Sequence, residues 1–342
     1  MKQKKWQIAA AVAAAVVALG LGVFLWTAVL RFSPVEGNAY LYIDADDTAD
    51  SVYCKLEAAE APGRVGAARL CATLLGYGPD VKPGRYQTGQ GISALRLVRN
   101  LRSGHQEPVK LVVPVAHTVA HLAAKLADRL EADSAALVAA FTDKALLGEL
   151  GADTATAAAL FVPNTYEVYW NIAPADLLRR MKKEFDAFWT ADRRALAAQM
   201  ELSPFEVATL ASIVEKESAN AAERPAIAGM YLNRLRQGMK LQADPTVKFA
   251  LGNFGLRRIL HEHLTVDNPY NTYRYEGLPP GPICIPSPGA IDAVLHYAHH
   301  SYLYMCAKED FSGTHNFAVT YEEHLANARR YAEALDRRGI KK

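Results

Sequence analysis

Residues 203–218 read SPFEVATLASIVEKES and predict a helix that ends in two glutamates around a lysine. Ser203 and Glu206 have the S-x-x-E spacing of a capping box, and Pro204 stands at the first helical position. The apolar residues that follow recur at helical spacing and predict a face that packs against a core. For function, the question is whether the Glu-Lys-Glu end is a solvated charge run or part of a site.

The helical periodicity separates these three charged residues. At about 100° per residue, Glu217 falls inside the apolar stripe, between Ile213 and Leu210. Lys216 points away from the stripe, and Glu215 lies at its edge. A charge-run interpretation therefore suits Lys216, is acceptable for Glu215 and fails for Glu217, because an ionised and unpaired carboxylate that faces a core is costly.

Two states of Glu217 would remove this cost. A nearby arginine, for instance Arg224 or Arg234, would neutralise the carboxylate and make the residue structural. Alternatively, desolvation raises its pKa, and a general acid needs a raised pKa in order to be protonated near neutral pH. The spacing alone leaves both alternatives open.

The N-terminus predicts a membrane anchor. Ile8–Leu30 is a run of 23 residues without a charge, which is long enough to cross a bilayer as a helix. Lys2, Lys4 and Lys5 precede it, so the positive-inside rule places the N-terminus in the cytoplasm and the chain after the run outside. A cleaved signal peptide is the alternative, although the run is longer than the apolar core of a typical signal. In both cases the body of the protein is exported.

The rest of the chain predicts an α+β protein. Its 342 residues, 51% hydrophobic and 22% charged, are typical of globular proteins and leave room for two domains beside the anchor. Alternating strand and helix patterns predict a small α+β module over residues 36–112. We therefore expect a tail and transmembrane anchor over residues 1–35, this module, and a mainly helical α+β catalytic domain over residues 113–342.

Within the third region, three helical patterns come first and a long loop follows. The helical patterns cover residues 117–131, 134–142 and 153–160. Residues 253–289 have little periodicity and are rich in Pro, Gly, Asn and Tyr. A loop of that length in a compact domain is usually functional or disordered.

The charge and the motifs exclude several classes of function. The net charge is +2, and without the three lysines before the anchor it is −1, which argues against nucleic acid as a partner. The chain has no H-E-x-x-H, and its exported region has no G-x-S-x-G, S-x-x-K or Walker A pattern, so we expect no metal and no cofactor. The histidines that lack the spacing of a metal site are His261, His263, His296, His299 and His300.

Four cysteines are too few and too scattered for a disulfide framework. One or two bridges in an oxidising compartment are one alternative, and Cys54 and Cys71 are the closest pair in sequence. Separate thiols, which include Cys284 and Cys306, are the other alternative, and the sequence does not decide between them.

Four stretches, in order, carry a resemblance to a known family. They are LASIVEKES (210–218), YLNRLRQGMKLQADPTVKFALG (231–252), PYNTYRYEGLPPGPICIPSPGAI (269–291) and SYLYMCAKEDFSGTHNFAVTYEEH (301–324). The chain resembles the YceG-like (MltG-type) family of endolytic murein transglycosylases, which are membrane-anchored enzymes that cut nascent peptidoglycan strands. A single E-K-E would mean little, whereas four ordered signatures are specific.

The resemblance implies roles for particular residues. Glu217 matches the family's catalytic acid, and Ser218 completes the Glu-Ser pair common among lytic transglycosylases. The module over residues 36–112 matches a LysM-like module, although DADDTADSVYCKL (44–56) is an acidic variant that departs from the family. The residues implied to contact substrate are Glu215, Ser218, Gln242, Asn271, Tyr273 and Asn316.

The implied reaction is cleavage of the β-1,4 bond between N-acetylmuramic acid and N-acetylglucosamine in nascent strands, which would end glycan elongation. A hydrolase normally places two carboxylates beside such a bond. A transglycosylase needs only one, which acts first as acid and then as base on the sugar's own 6-hydroxyl to close a 1,6-anhydro ring. Asp244 is a candidate second carboxylate, but the sequence ADPTV predicts instead that Asp244 is a helix N-cap followed by Pro245.

The implied location is the inner membrane, with a single pass, a cytoplasmic N-terminus and an extracytoplasmic catalytic domain. The implied partners are peptidoglycan strands, the membrane through one helix, and peptidoglycan synthases. Two alternatives remain for the activity: a hydrolytic muramidase, and a non-catalytic scaffold that binds peptidoglycan.

Overall fold

In a computed structural model, the chain is a mixed α+β protein in which helices predominate. The structure describes residues 2–26, 40–59, 62–88, 92–256 and 258–339. The chain divides into two compact units. The first unit comprises Met1–Leu111, Arg129–Glu131 and Glu167–Ile172, and the second comprises Val112–Asp128, Ala132–Tyr166 and Ala173–Lys342.

Helix α1 (Lys2–Leu25) contains the predicted apolar run. Over Trp6–Val23 its mean hydropathy is 2.0, and among the described residues it is the one helix long and apolar enough to cross a membrane. This helix fits a single-pass anchor. The end of the predicted run, residues 27–30, lies outside the described residues.

The rest of the first unit is a small α+β module. Strand β1 (Tyr40–Ile43) pairs antiparallel with β2 (Gly84–Gln87), with Leu41 opposite Tyr86. The helices between and after these strands pack over a core that includes Ile43, Leu56 and Leu97. Gly104 ends the last helix at a φ of 72°, because glycine adopts this left-handed conformation without strain. The helices are α2 (Ala49–Ala59), α3 (Pro62–Leu75) and α4 (Ala94–Ser103).

Helices make up most of the second unit. Strands β3 (Val109–Val113) and β4 (Asn164–Val168) each run across the division between units. Strands β5 (Tyr304–Ala307) and β6 (His315–Ala318) form an antiparallel pair. The helices are α5 (Val119–Ala127), α6 (Ser134–Phe141), α7 (Lys144–Glu149), α8 (Pro174–Phe188), α9 (Ala191–Gln199), α10 (Pro204–Glu217), α11 (Arg224–Arg236), α12 (Asp244–Ala250), α13 (Pro288–Leu295) and α14 (Tyr321–Arg337).

Two predicted helices are shorter in the structure. Helix α5 covers nine residues of 117–131, and it begins after Thr118, whose hydroxyl accepts a hydrogen bond from the backbone of His121. The pattern at 153–160 yields only a 3-10 turn, Ala157–Leu160. There the Asp153 carboxylate accepts from the backbone N–H groups of Ala155 and Thr156, and these bonds favour a turn over a helix. Among its described residues, the loop that begins at residue 253 contains one 3-10 turn, His261–Thr265.

The four cysteines are free thiols in the structure. Cys71 and Cys284 are buried, Cys306 is half-buried and Cys54 is exposed.

Helix α10 lies at the centre of the second unit. The predicted capping box is confirmed, because Ser203 accepts from the Glu206 N–H and the Glu206 carboxylate accepts from the Ser203 N–H. Residues 207–214 are all buried, and the helix packs against α11, α12 and α13. The buried Ser212 hydroxyl accepts from the Ile283 N–H at 2.9 Å and donates to the Thr209 carbonyl. The helix is therefore buried on nearly all sides, whereas the sequence predicts burial of one apolar stripe only.

Gly229 of helix α11 allows the segment that follows α13 to pack closely against this helix. A Cβ at Gly229 would stand 2.3 Å from the Ala298 carbonyl oxygen and 2.8 Å from His300 Nε2. The segment after α13 bonds to the same helix, since the Ala298 N–H donates to the Pro225 carbonyl at 2.9 Å. Gly148 in α7, by contrast, has no neighbouring atom within 4 Å of the corresponding position.

These two helical glycines make a matched test of the packing. Gly229→Ala should lower the free energy of unfolding by about 1–3 kcal/mol, because the added methyl group has no room. Gly148→Ala should be neutral or raise it by up to about 1 kcal/mol, because alanine is the better helix former. Thermal unfolding of the full chain in detergent measures both variants. Equal shifts for both variants would contradict this account of α11.

Candidate active site

Glu217 is the last residue of α10, and its carboxylate faces a cleft. The chain leaves the helix at Ser218, which has extended backbone, so the Glu217 side chain stands at the edge of the enclosed helix. Its Oε1 accepts a hydrogen bond of 2.7 Å from the Tyr231 hydroxyl of α11. The Glu217 cleft has a volume of about 350 Å³, and it is lined by Glu217, Met230, Tyr231, Arg234, Gln242, Asp244, Tyr273, Tyr304, Met305, Cys306, Ala307, His315, Tyr321 and His324.

Burial raises the pKa of Glu217 to about 7. The Tyr231 hydrogen bond lowers this pKa, the negative charge of Asp244 raises it and the positive charge of Lys248 lowers it, so burial outweighs the favourable contacts of the ionised form. The predicted alternative, neutralisation by an arginine, is wrong. Arg224 forms its ion pair with Glu215 at 2.8 Å, and Arg234 donates to Gln242.

A second carboxylate, that of Asp244, lines the cleft. Tyr273 donates its hydroxyl hydrogen to Asp244 Oδ1 at 2.6 Å, and burial followed by this contact raises the pKa of Tyr273. The prediction that Asp244 is a helix N-cap is wrong. Ala243 is the N-cap of α12 and makes no side-chain capping bond, while the Asp244 carboxylate bonds across to the loop.

The backbone of Gln242, which lies two residues before Asp244, is strained. Its φ is 52°, in the left-handed region that costs a non-glycine residue of order 1–3 kcal/mol. Its amide oxygen accepts from Arg234 Nη2 at 2.5 Å, and its backbone N–H donates to the Thr272 carbonyl at 3.1 Å. Strain of this kind persists where surrounding contacts fix the backbone. Here the contacts with Arg234 and Thr272 hold the exposed Gln242 side chain at the cleft.

Aromatic rings and a histidine form another part of the cleft lining. The rings of Tyr304 and His324 stack with centroids 5.4 Å apart, and Tyr321 lies 5.8 Å from Tyr304. His315 donates its backbone N–H to Glu223 Oε1 at 2.7 Å, and its Nδ1 lies 3.1 Å from Glu223 Oε2. The Glu223 carboxylate therefore fixes the orientation of the His315 imidazole at the cleft.

The structure brings only some of the predicted site residues to the cleft. Glu217, Gln242 and Tyr273 line it. Glu215 does not, because its carboxylate pairs with Arg224 and accepts from the N–H and hydroxyl of Ser287, the N-cap of α13.

The other three predicted residues support neighbouring loops. Buried Ser218 accepts from the Asn220 N–H at 3.1 Å. Buried Asn271 donates to the Leu264 and Val266 carbonyls at 2.9 and 2.8 Å, and Asn316 donates to Glu309 at 2.7 Å.

Sequence reasoning did not single out Tyr231, Tyr304, Tyr321 or His315 as site residues. All four lie in the stretches that carry the family resemblance, but nothing in their spacing places them opposite Glu217. Across the described ranges, no group of three His, Cys, Asp or Glu residues stands close enough to hold a metal ion.

Comparison with known proteins identifies the family of the chain. The model of the YceG-like family matches residues 41–330. The chain belongs to the YceG-like family. The match covers parts of both units and every residue of the Glu217 cleft.

Two curated proteins, both named endolytic murein transglycosylase, are similar to this chain. The protein from Bacillus subtilis is 28% identical over 264 residues, which cover 72% of each chain. The protein from Streptococcus pneumoniae strain D39 is 29% identical over 281 residues, which cover 72% of this chain and 50% of that protein.

A solved structure is also similar. The crystal structure of a YceG-like protein from Listeria monocytogenes superimposes with a TM-score of 0.55 at 25% sequence identity, and the match covers 84% of this chain and 97% of that one.

The Glu215 contacts predict a structural role that can be measured. Glu215→Gln should lower the free energy of unfolding by about 2 kcal/mol, because it leaves the guanidinium of Arg224, which is 13% exposed, without its carboxylate. Asp176→Asn is the control, since the Asp176–Arg179 pair is exposed and worth less than about 1 kcal/mol. Chemical denaturation of both variants gives the comparison. An Asp176→Asn effect as large as that of Glu215→Gln would contradict the prediction.

Proposed function

We propose that this protein is an endolytic lytic transglycosylase that cleaves the β-1,4 bond between N-acetylmuramic acid and N-acetylglucosamine in nascent peptidoglycan. The single observation that carries the proposal is a carboxyl group with a pKa of about 7, Glu217, facing a cleft lined by polar and aromatic side chains. The names of the similar curated proteins support the same activity.

The first step requires a proton on Glu217. A carboxyl group with a pKa of about 7 is protonated in a large share of molecules near neutral pH, which suits a general acid. Because Tyr231 donates to Oε1, the acidic proton belongs on Oε2. Glu217 gives this proton to the glycosidic oxygen as the bond to C1 of the muramic sugar breaks.

The second step returns the proton. The Glu217 carboxylate, now ionised, takes a proton from the 6-hydroxyl of the same sugar, and that oxygen bonds to C1 to close the 1,6-anhydro ring. Glu217 ends the cycle protonated, and no water is consumed. The negative charge of Asp244 favours the positive charge that develops on the sugar between the two steps.

The predicted substrate contacts divide by position. We assign Gln242 and Tyr273 to the binding of sugar hydroxyl and N-acetyl groups, because both line the cleft with hydrogen-bonding atoms. Tyr304 and Tyr321 offer rings on which a sugar face can stack. Glu215, Ser218, Asn271 and Asn316 act indirectly, through the elements that their side chains hold.

One observation favours a second candidate, the hydrolytic muramidase. Asp244 is a second carboxylate in the same cleft, and two carboxylates are the usual equipment for hydrolysis. The engagement of its Oδ1 by Tyr273 favours the transglycosylase instead. The chemical ends of the products distinguish the two reactions.

Three finer assignments complete the proposal. The α+β module of the first unit is LysM-like. Helix α1 anchors the protein in the cytoplasmic membrane with its N-terminus inside, because three lysines precede the apolar run. Cleavage outside the membrane then ends the elongation of strands made by peptidoglycan synthases, which are the expected partners.

The test of the reaction is a pair of glutamine variants. Glu217→Gln should lower the rate of strand cleavage by about 10²–10⁴-fold, because glutamine keeps the shape of the side chain and has no acidic proton. Glu215→Gln should retain more activity. Mass spectrometry of digested uncrosslinked strands should show 1,6-anhydro ends for the unmodified protein.

Each contrary result has a definite meaning. An active Glu217→Gln beside an inactive Glu215→Gln would mean that the acid is the other glutamate. Reducing ends would establish a muramidase. Binding of strands by the unmodified protein without any cleavage would establish a scaffold.

The Tyr231 hydrogen bond predicts a pH shift. It stabilises the ionised form of Glu217, so Tyr231→Phe should raise the pKa of Glu217 above about 7. The protonated acid is lost as pH rises, so the alkaline limb of the kcat/KM profile should move to higher pH in this variant. Tyr273→Phe is the comparison, since Tyr273 bonds to Asp244 and makes no bond to Glu217. A limb that moves to lower pH in Tyr231→Phe would refute this role.

A further inference from the structure

A second pocket lies beside the Glu217 cleft and has a different chemistry. It has a volume of about 130 Å³ and is lined by His117, Lys216, Pro245, Lys248, Phe254 and Ile283; we call it the lysine pocket. All six residues belong to the second unit. Lys216 immediately precedes Glu217 in α10, and Lys248 lies one turn after Asp244 in α12. The same two helices therefore line both the cleft and the pocket.

The described lining of the lysine pocket contains two lysines and no carboxylate. Among the described residues, neither Lys216 nor Lys248 has a carboxylate within 4 Å or a side-chain hydrogen bond. The acids on these two helices have other partners. Glu215 pairs with Arg224, Asp244 accepts from Tyr273, and Glu217, whose pKa the charge of Lys248 lowers, accepts from Tyr231 in the cleft.

The other titratable groups that face the pocket are also basic. The His117 ring stacks on the rings of Phe254 and His121, with centroids 4.7 Å and 6.0 Å away. Burial first, and then the charges of Lys216, His121 and Lys125, lower the pKa of His117. The lowered pKa favours the neutral imidazole, so the charge that an incoming ligand meets is that of the two lysine ammonium groups.

The shape and lining of the pocket suit a small anion on a short branch. Its volume is about a third of that of the cleft, so it does not suit a second stretch of glycan. Two ammonium groups suit a carboxylate or phosphate, while Pro245, Phe254 and Ile283 supply an apolar wall for the atoms that carry the anion.

We propose that the lysine pocket binds a free carboxylate of the stem peptide that branches from the muramic sugar beside the scissile bond. This inference rests on the proposed function, since it takes nascent peptidoglycan as the substrate. Helix α12 has seven residues and is about 10 Å long, and three extended residues of a peptide span about the same distance. A stem that leaves a sugar in the cleft can therefore reach the pocket within its first few residues.

The stem peptide is favoured over the other anion in the substrate. The pyrophosphate of a lipid carrier lies at the end of a strand, whereas an endolytic enzyme cuts at internal sugars, each of which carries its own stem. The site would thus recognise strands whose stems are intact and acidic, and it would position them relative to Glu217.

The test compares three substrates with full-length protein in detergent. They are uncrosslinked strands with acidic stems, the same strands with the stems removed by an amidase, and strands whose stem carboxylates are amidated. Lys216→Met removes one ammonium group, Lys216→Arg keeps a positive charge, and Lys144→Met removes an exposed lysine of α7 that lies outside both cavities.

Lys216→Met should raise KM for acidic strands about 10-fold, the loss expected for one hydrogen bond to a charged group, with kcat nearly unchanged. Lys216→Arg should restore most of the affinity, and Lys144→Met should match the unmodified protein. On strands without stems, all four proteins should have the same KM. Amidated strands should give the unmodified protein the high KM of the variant.

The contrary outcomes are distinct from one another. A KM that rises equally on strands with and without stems, or does not rise at all, overturns the stem-carboxylate site. A fourth substrate, acidic strands from which the carrier pyrophosphate has been removed with the stems intact, tests the other anion. A Lys216→Met effect that vanishes on this substrate overturns the stem-carboxylate site in favour of a phosphate. Failure of the unmodified protein to cleave any strand counts against the proposed function, and equilibrium binding of the same strands to Glu217→Gln protein then tests the pocket separately.

Discussion

The proposed chemistry depends on one unfavourable placement, the Glu217 carboxyl at the end of an enclosed helix. Helix α10 begins with a capping box, is buried from Val207 to Val214, and ends at the cleft, where its last carboxylate accepts a hydrogen bond from Tyr231. An ionised carboxylate at that point loses hydration that one phenol does not replace, so the protonated form persists to about pH 7. The packing that makes the helix stable is the same packing that makes its last residue an acid.

The neighbouring elements keep this carboxyl from being neutralised. The two arginines that the sequence offers as partners are engaged elsewhere, because Arg224 pairs with Glu215 and Arg234 holds the strained Gln242. Glu215 and Glu217 are only two residues apart, yet one is a structural ion-pair partner and the other a desolvated acid. The difference follows from helix geometry, because two residues of a helix turn the side chain through about 200°.

The sequence predicts local features of this arrangement and misses its long-range contacts. The capping box, the start of α10 and the exceptional position of Glu217 follow from spacing alone. The residues next to Asp244 favour a helix cap, and the sequence therefore predicts one. Tyr273, 29 positions away, takes the Asp244 carboxylate instead, and such a contact depends on how the loop folds back. Sequence reasoning misses Tyr231 for the same reason, since its hydroxyl meets a residue on another helix.

The measurement that tests this account most directly is the pKa of Glu217 itself. Infrared difference spectra between the unmodified protein and Glu217→Gln protein, recorded against pH, isolate the carboxyl band of this one residue. The account predicts a protonated carboxyl that titrates near pH 7, with the titration moving to higher pH in Tyr231→Phe. A Glu217 carboxyl that is already ionised at about pH 5, as for an ordinary solvated glutamate, would contradict it.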